Sequence, residues 1–421
     1  METMGLLNLR NITKIFTLRV VNNNICGLRQ KHNEVVIVSA VRTPIGSFRS
    51  SLSPLQAPQL GSIAVKGAVE KAGIPKDAVQ EVYMGQVLQA AAGQAPARQA
   101  ALNAGLNITT PCTTVNKVCA SGMKSIMLAS QNLMLGHQDI MVAGGMESMS
   151  NSPYYLARGD TPYGGVHLQD SLVYDGLTDA YQKFHMGVCG ENTAKKMGIS
   201  RQEQDEFAIN SYKKTASAVE SGIFSKEIVP VTIPGKRGKP DVIVNTDEEY
   251  KRVNFEKVPQ LPTVFQKENG TITAANASTI NDGAAACVLM TADVAEKRNV
   301  KPLARIVGFA DAAVAPIDFP ISPAFAIPKL LERTGIRLED VALWEINEAF
   351  SVVVLANIRM LKLDPTKVNV HGGAVSLGHP IGMSGCRIVN HLVHALSSKQ
   401  YGVAAICNGG GGASALMIQK F

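Results

Sequence analysis

Apolar runs and amphipathic stretches alternate along the chain from residue 34 onward. Glu34-Val35-Val36-Ile37-Val38-Ser39-Ala40 has the near-continuous apolar character of a strand buried on both faces, and Thr43-Pro44-Ile45-Gly46 supplies a turn after it. Helical spacing follows around Leu60 to Ala72, then a loop from Gly73 that runs into a strand ending at Gly85. Met123, Ile126, Met127, Leu133 and Met134 sit close to helical spacing and predict a helix over 123–135. Asp139 to Gly145 reads as a strand ending in glycines, and Arg201 to Ser221 as a helix with an apolar face at Phe207, Ala208 and Tyr212.

The pattern then repeats. Gly335 opens a loop and strand through Asn347 that echoes the one opened by Gly73, at an offset of 262 residues. Val403 to Gly410 echoes Asp139 to Gly145, and Gly409 follows Gly144 by 265 residues. Such a period is too long for a solenoid and predicts a duplicated α/β unit, two similar halves packed pseudo-symmetrically. The first half is expected over 34–151 and 278–300, and the second over 301–421. Residues 152–277 break the pattern and predict an inserted loop domain riding on the first half. Its basic stretch, Pro234 to Pro240, and its acidic run, Asp247-Glu248-Glu249, read as solvated loops.

Composition narrows the classes. The 421 residues are 46% hydrophobic and 18% charged, which suits tightly packed helix-on-sheet layers. No uncharged apolar run reaches the length of a membrane span, so no membrane partner is expected. Of the net charge of +7, residues 1–33 contribute +4 through Arg10, Lys14, Arg19, Arg29 and Lys31 against Glu2. The remaining +3 is too little to argue for nucleic acid. The basic, acid-poor start resembles a mitochondrial transit segment more than a secretory signal. Seven cysteines without a CxxC pair argue against a zinc site or a disulfide framework and fit a reducing compartment.

One of those cysteines stands apart. Cys119, in Asn116-Lys117-Val118-Cys119-Ala120-Ser121-Gly122, falls at or just before a helix N-terminus, where unpaired N–H groups favour a thiolate, and small residues leave room above its sulfur. A buried small hydrophobe is the competing reading. Its possible partners lie in the second half. His379 stands among glycines just before a helix start, a setting that clears space for a ligand. Asn347, at a strand end, either orients a water or donor toward an oxyanion or serves as a turn residue. Cys407 ends a strand and is followed by Asn408 and the glycines from Gly409 to Gly412, whose N–H groups suit an oxyanion. No Walker-type lysine follows, and no dinucleotide pattern opens a helix there. Two thiols and one histidine fit covalent acyl transfer with carbanion chemistry.

These four motifs, in this order, resemble the thiolase family over nearly everything from Glu34 to Phe421. The resemblance implies a five-layered α/β/α/β/α fold and reversible condensation of two acetyl-CoA to acetoacetyl-CoA and CoA. The setting it implies is ketone-body and branched-chain amino-acid metabolism in the mitochondrial matrix. It implies an acyl-carrying Cys119 activated by His379, and Cys407 as the acid/base at the α-carbon. One oxyanion hole would comprise Asn347, through a water, with His379, and the other the N–H groups of Cys119 and Gly409. Positions matching coenzyme A contacts are Tyr212, Arg252, Val253, Asn254, Lys257 and Ser278, Asn254 replacing the family's aspartate; Arg252 and Lys257 suit phosphates. Tyr212, Ala274, Ala275, Ala277 and Val375 match a potassium site, no redox cofactor is implied, and the assembly would be a homotetramer. A broader-chain 3-ketoacyl-CoA thiolase of fatty-acid β-oxidation is the alternative; the resemblance at His185-Met186 and Phe319-Pro320 favours small acyl groups. A silent lipid- or CoA-binding relative would lack the nucleophile, and a decarboxylating condensing enzyme would pair its cysteine with two histidines.

Overall fold

The computed structural model describes residues 32–421 apart from 161, 236 and 237, so residues 1–31 of the expected transit segment lie outside the described residues. Nine strands form one mixed sheet: β1 (Val35–Arg42), β2 (Glu81–Gly85), β3 (Cys112–Val115), β4 (Ile140–Ser148), β5 (Asn281–Thr291), β6 (Ala304–Ala313), β7 (Val341–Ile346), β8 (Tyr401–Asn408) and β9 (Gly412–Lys420). Their order is β7-β8-β9-β6-β1-β5-β4-β2-β3, with the short strand Gly46–Ser47 added beside β5.

The order is a duplication. In one half β3 and β4 run parallel to β2, and β5 returns antiparallel between β4 and β1. In the other, β8 runs parallel to β7, and β9 returns antiparallel between β8 and β6, with a parallel bridge from Trp344 to Val368 where the first half has β3. The halves join through a short antiparallel contact, Val36 with Arg305 and Ile37 with Ala304. The repeat reaches the backbone conformation: Gly73 and Gly335 both close a helix at φ 68°, a left-handed value that glycine adopts without steric cost.

Helices α1 (Ala57–Ala72) and α2 (Pro96–Asn103) cover the outer face of the first half. Between the two halves lie α3 (Ser121–Met134) and, from the far end of the chain, the helix Ser384–Ala395. Helices α4 (Met186–Met197) and α5 (Arg201–Glu220) belong to the insertion, while α6 (Pro323–Thr334) and α7 (Ser351–Leu361) cover the second half; the central Ser384–Ala395 is α8. This is the five-layered arrangement. The predicted helix over 123–135 begins two residues earlier, at Ser121. The strand expected to stop at Gly145 runs on to Ser148, because Gly145, Met146 and Glu147 still pair with β5.

The insertion departs from its expectation. Helices α4 and α5 pack on the second half, where Met186, Cys189 and Ala194 share one core with Phe319, Val352 and Val353. Its acidic run is not solvated either. Asp247 holds the Arg42 guanidinium with both oxygens at 2.7 and 2.9 Å and accepts from the Ile45 N–H at 2.8 Å. Glu248 accepts from the Ser47 N–H, and Glu249 is buried as well. Charge density alone says "surface", and a buried cation two hundred residues away reverses it.

That cation is shared. Arg42 also donates to Glu227 at 2.6 Å, and His391 approaches the other oxygen of Glu227 at 2.9 Å. Burial alone would raise the Glu227 pKa, but His391 and Arg42 overcome it and hold the carboxyl well below its usual range. A depressed carboxyl stabilises the fold above its unfolded value of about 4.3 and loses that contribution as pH falls. Arg42→Met is therefore expected to strand two buried carboxylates and cost about 3–5 kcal/mol, read as a lower urea midpoint at neutral pH. The deficit should shrink as pH falls toward 4.

Candidate active site

The end of β3, a tight turn and the start of α3 present Cys119. Val118 sits at φ 47°, a left-handed conformation that costs a β-branched residue about 1–3 kcal/mol. Ser121 secures the turn by donating to the Val118 carbonyl at 2.6 Å and accepting from the Lys117 N–H at 2.8 Å. The Lys117 ammonium crosses to the second half, reaching Asp311 and, at 2.7 Å, Ser414. Lys124 reaches the other Asp311 oxygen at 2.6 Å. Burial would raise Asp311, and its bonds to the two lysines overcome that, taking it to about 2. Two ion pairs thus tie the turn that carries Cys119 to the opposite half.

His379 arrives from the second half on the loop before α8. Its Nδ1 lies 2.6 Å from the Ser384 hydroxyl, which itself donates to the Pro380 carbonyl at 3.0 Å. With that proton committed, the hydroxyl accepts from Nδ1–H, leaving the Nε2 lone pair bare. Nε2 has no hydrogen-bond partner among the described residues, although His379 is 5% exposed. Burial, with Arg387 nearby, lowers the imidazole to about 3. The His379 peptide N–H is held by the Asn281 side chain at 2.9 Å. Glu147 accepts from the N–H groups of Val87, Leu88 and Gly382, fixing the loops on either side of the site, and burial raises it to about 7. Asn281, Ser384 and Glu147 did not stand out in the sequence.

Cys119, His379, Gly409, His185, Met186 and Phe319 line one cavity of about 300 Å³. Phe350 and Ile381 complete its apolar wall, and His185 stacks on Phe265 at 4.7 Å. Cys407 and Asn347 are not on that wall. Cys407 is buried against the same cluster as Met186, and its nearness to Cys119 adds to the burial that raises its pKa far above the ordinary value. Asn347 is fully buried, and neither side-chain polar atom has a partner among the described residues. An unpaired buried amide is costly unless a water or a reacting oxygen meets it.

A second, wider cavity of about 730 Å³ adjoins the first and shares Val264, Phe265 and the run Ala277 to Ile280 with it. Tyr212, Arg252, Val253, Asn254, Lys257, Ser278, Ala274, Ala275 and Ala277 all line this space. Val375 does not, but packs against Tyr212 from behind. Fifteen candidate positions therefore converge on two joined cavities; Cys407 and Val375 pack against lining residues, and the Asn347 carbonyl accepts from the N–H of the lining residue Ala349.

One expectation meets an opposing effect. The helix N-terminus was expected to favour a Cys119 thiolate. Burial instead raises the thiol to about 11, and the Gly409 and Cys119 N–H groups oppose that only in part. Desolvation of a charge outweighs a partial positive charge. Both shifts favour the neutral thiol and the neutral imidazole. Alkylation of Cys119 by iodoacetamide should therefore keep rising from pH 7 to 10. A plateau below pH 7 would show a preformed thiolate–imidazolium pair.

Known proteins share this arrangement. The chain matches the models described as Thiolase, N-terminal domain, over residues 35–293 and Thiolase, C-terminal domain, over residues 300–420. A Danio rerio protein named acetyl-CoA acetyltransferase, mitochondrial, is 71% identical over 393 residues, covering 93% of each chain. The Homo sapiens protein of that name is 70% identical over 387 residues, 92% of this chain and 90% of the other. A solved structure, Acat5 thiolase from Ascaris suum in complex with coenzyme A, superposes with a TM-score of 0.89 at 51% identity, covering 92% of this chain and 100% of that one. With both family domains matched end to end, the chain belongs to the thiolase family.

Proposed function

We propose that this chain is an acetyl-CoA C-acetyltransferase of the mitochondrial matrix, condensing two acetyl-CoA to acetoacetyl-CoA and CoA and running the reverse thiolysis. The observation that carries the reading is a half-buried thiol and an imidazole nitrogen without a partner among the described residues, both on one small apolar cavity that opens into a wider one bearing Arg252 and Lys257. The relatives named for this activity and compartment, and the basic residues 1–33, support it.

The resting protonation states set the order of events. Cys119 attacks the thioester carbonyl of acetyl-CoA, and its proton passes to His379 Nε2. Cys407, neutral at rest because it is buried, gives its proton to the departing CoA sulfur. Acetyl-Cys119 then faces a Cys407 thiolate and a protonated His379. The thiolate takes an α-proton from a second acetyl-CoA, and the enolate oxygen is met by His379 and a water held by Asn347. The enolate carbon attacks acetyl-Cys119, whose carbonyl oxygen lies toward the N–H groups of Cys119 and Gly409. The intermediate collapses to acetoacetyl-CoA, and the Cys119 sulfur recovers its proton from His379. One well-placed donor of this kind typically contributes about 2.7–4 kcal/mol.

The carbonyls of Ala274, Ala275, Ala277 and Val375 and the Tyr212 hydroxyl are hard oxygen donors, and the Glu249 and Glu348 carboxylates are close enough to Tyr212 to add to the burial that raises its pKa. That donor set suits potassium, which would supply positive charge and rigidity to the coenzyme loop. Exchanging sodium chloride for potassium chloride should then raise both activity and the thermal midpoint. Exposed apolar side chains at Tyr154, Leu156, Leu168 and Tyr181 suit burial by further copies, in keeping with a homotetramer.

Two measurements test the reading. A substrate profile should show acetoacetyl-CoA cleaved well and longer 3-ketoacyl-CoA falling away; efficient long-chain cleavage would favour the broader-chain alternative. Cys407→Ser should still acetylate Cys119 from labelled acetyl-CoA, more slowly than the wild type, but condense far more slowly still. Undiminished condensation in that variant would place the base elsewhere.

A further inference from the structure

On the wall of the wider cavity a carboxylate reaches toward the residue that holds the His379 loop. Glu249, 6% exposed, offers one oxygen to two donors: Arg252 Nη1 at 3.3 Å and the Asn281 side-chain amide at 3.4 Å. Arg252 is 63% exposed and lines the wider cavity. Asn281 also donates to the Gly46 carbonyl at 3.1 Å, and its own oxygen accepts the His379 N–H at 2.9 Å and the Thr279 hydroxyl at 2.8 Å. Its amide is wedged under Gly378, where an added Cβ would lie 2.5 Å away. Movement of Asn281 therefore has to move the His379 peptide.

We infer that Glu249 is a positioning residue that links occupancy of the phosphate end of the coenzyme pocket to the placement of His379. Both bonds to its oxygen are long, as expected when two donors compete for one acceptor. A phosphate drawn to Arg252 offers that guanidinium a stronger partner and leaves Asn281 as the remaining side-chain donor on Glu249. The amide bond then shortens, and the loop bearing His379 is held more firmly. Binding energy from a remote, unreacting part of the substrate is thereby converted into rate rather than affinity alone. The inference rests on the reading of Arg252 as a coenzyme contact and His379 as the base.

The test separates the two ends of the substrate. S-acetylpantetheine carries the thioester without the phosphorylated adenosine, and adenosine 3′,5′-bisphosphate supplies that part in trans. Acetylation of Cys119 by saturating S-acetylpantetheine is followed by peptide mapping, with and without saturating bisphosphate. In the wild type the bisphosphate should raise the saturated rate roughly 5- to 10-fold, the low end of ordinary coupling between sites. In Glu249→Gln, which keeps the shape and loses the charge, the ratio should fall to near one even when calorimetry shows the bisphosphate bound. Glu249→Asp should recover part of it. Should Glu249→Gln fail to fold, Arg252→Gln alters an exposed side chain and should likewise give a ratio near one at saturating bisphosphate. An unchanged ratio in either variant, or no activation in the wild type, overturns the link while leaving acetylation of Cys119 intact. Acetylation at a different residue would instead overturn the underlying reading of the site, and the link with it.

Discussion

Everything at this site depends on two helix N-termini meeting with no side chain between them. A Cβ on Gly122 would lie 2.9 Å from the Cys386 nitrogen and the Gly382 carbonyl oxygen, and one on Gly385 would lie 2.6 Å from the Met123 nitrogen. On Gly145 it would approach the Gly382 oxygen to 2.1 Å. Backbone cannot yield to such overlaps, so these positions require glycine for space rather than for flexibility. Because α3 and α8 approach this closely, the turn before one and the loop before the other bring Cys119 and His379 to the same cavity.

The same closeness sets the electrostatics. Excluding water raises Cys119 and Cys407 and lowers His379, and each shift favours the neutral form of the group. A neutral site costs less to bury than an ion pair, and charge then develops only while substrate is present to share it. The lone amide of Asn347 and the bare Nε2 of His379 are the corresponding stored cost. They are the groups that a developing negative oxygen would satisfy.

Much of this was legible in the chain. Cys119 and His379 stood out because small residues and glycines surround a reactive side chain, and that is a local property. The duplication was legible because Gly73 and Gly335 both demand a left-handed helix end. What stayed hidden depends on distant partners. Glu147 continues an apolar strand beyond its glycines, and its role exists only through three backbone N–H groups from elsewhere. The Asp247 to Glu249 run has the composition of a solvated loop until Arg42, Ser47 and Asn281 are folded against it. The desolvation that opposes a Cys119 thiolate was hidden for a related reason: a helix N-terminus is visible in sequence, whereas the enclosure of the sulfur is not.

Two equivalent halves would by themselves offer two equivalent clefts. The difference arises at one connection. In the first half the link from β4 to β5 is the long segment from Met149 to Ile280, which carries α4, α5, most of the wall of the wider cavity and part of the wall of the smaller one. In the second half the equivalent link from β8 to β9 is Gly409-Gly410-Gly411, with Gly410 at φ 82° and Gly411 at φ 88°. Those left-handed values make a turn this short possible, and a Cβ on Gly411 would strike the Val314 carbonyl oxygen at 2.1 Å. The short turn leaves the Gly409 N–H pointing at the Cys119 sulfur, while the long segment packs across onto the second half and encloses the same sulfur from the other side. A symmetric frame thus yields one asymmetric site: the minimal loop brings a bare N–H to the sulfur, and the maximal loop lines most of the wider cavity.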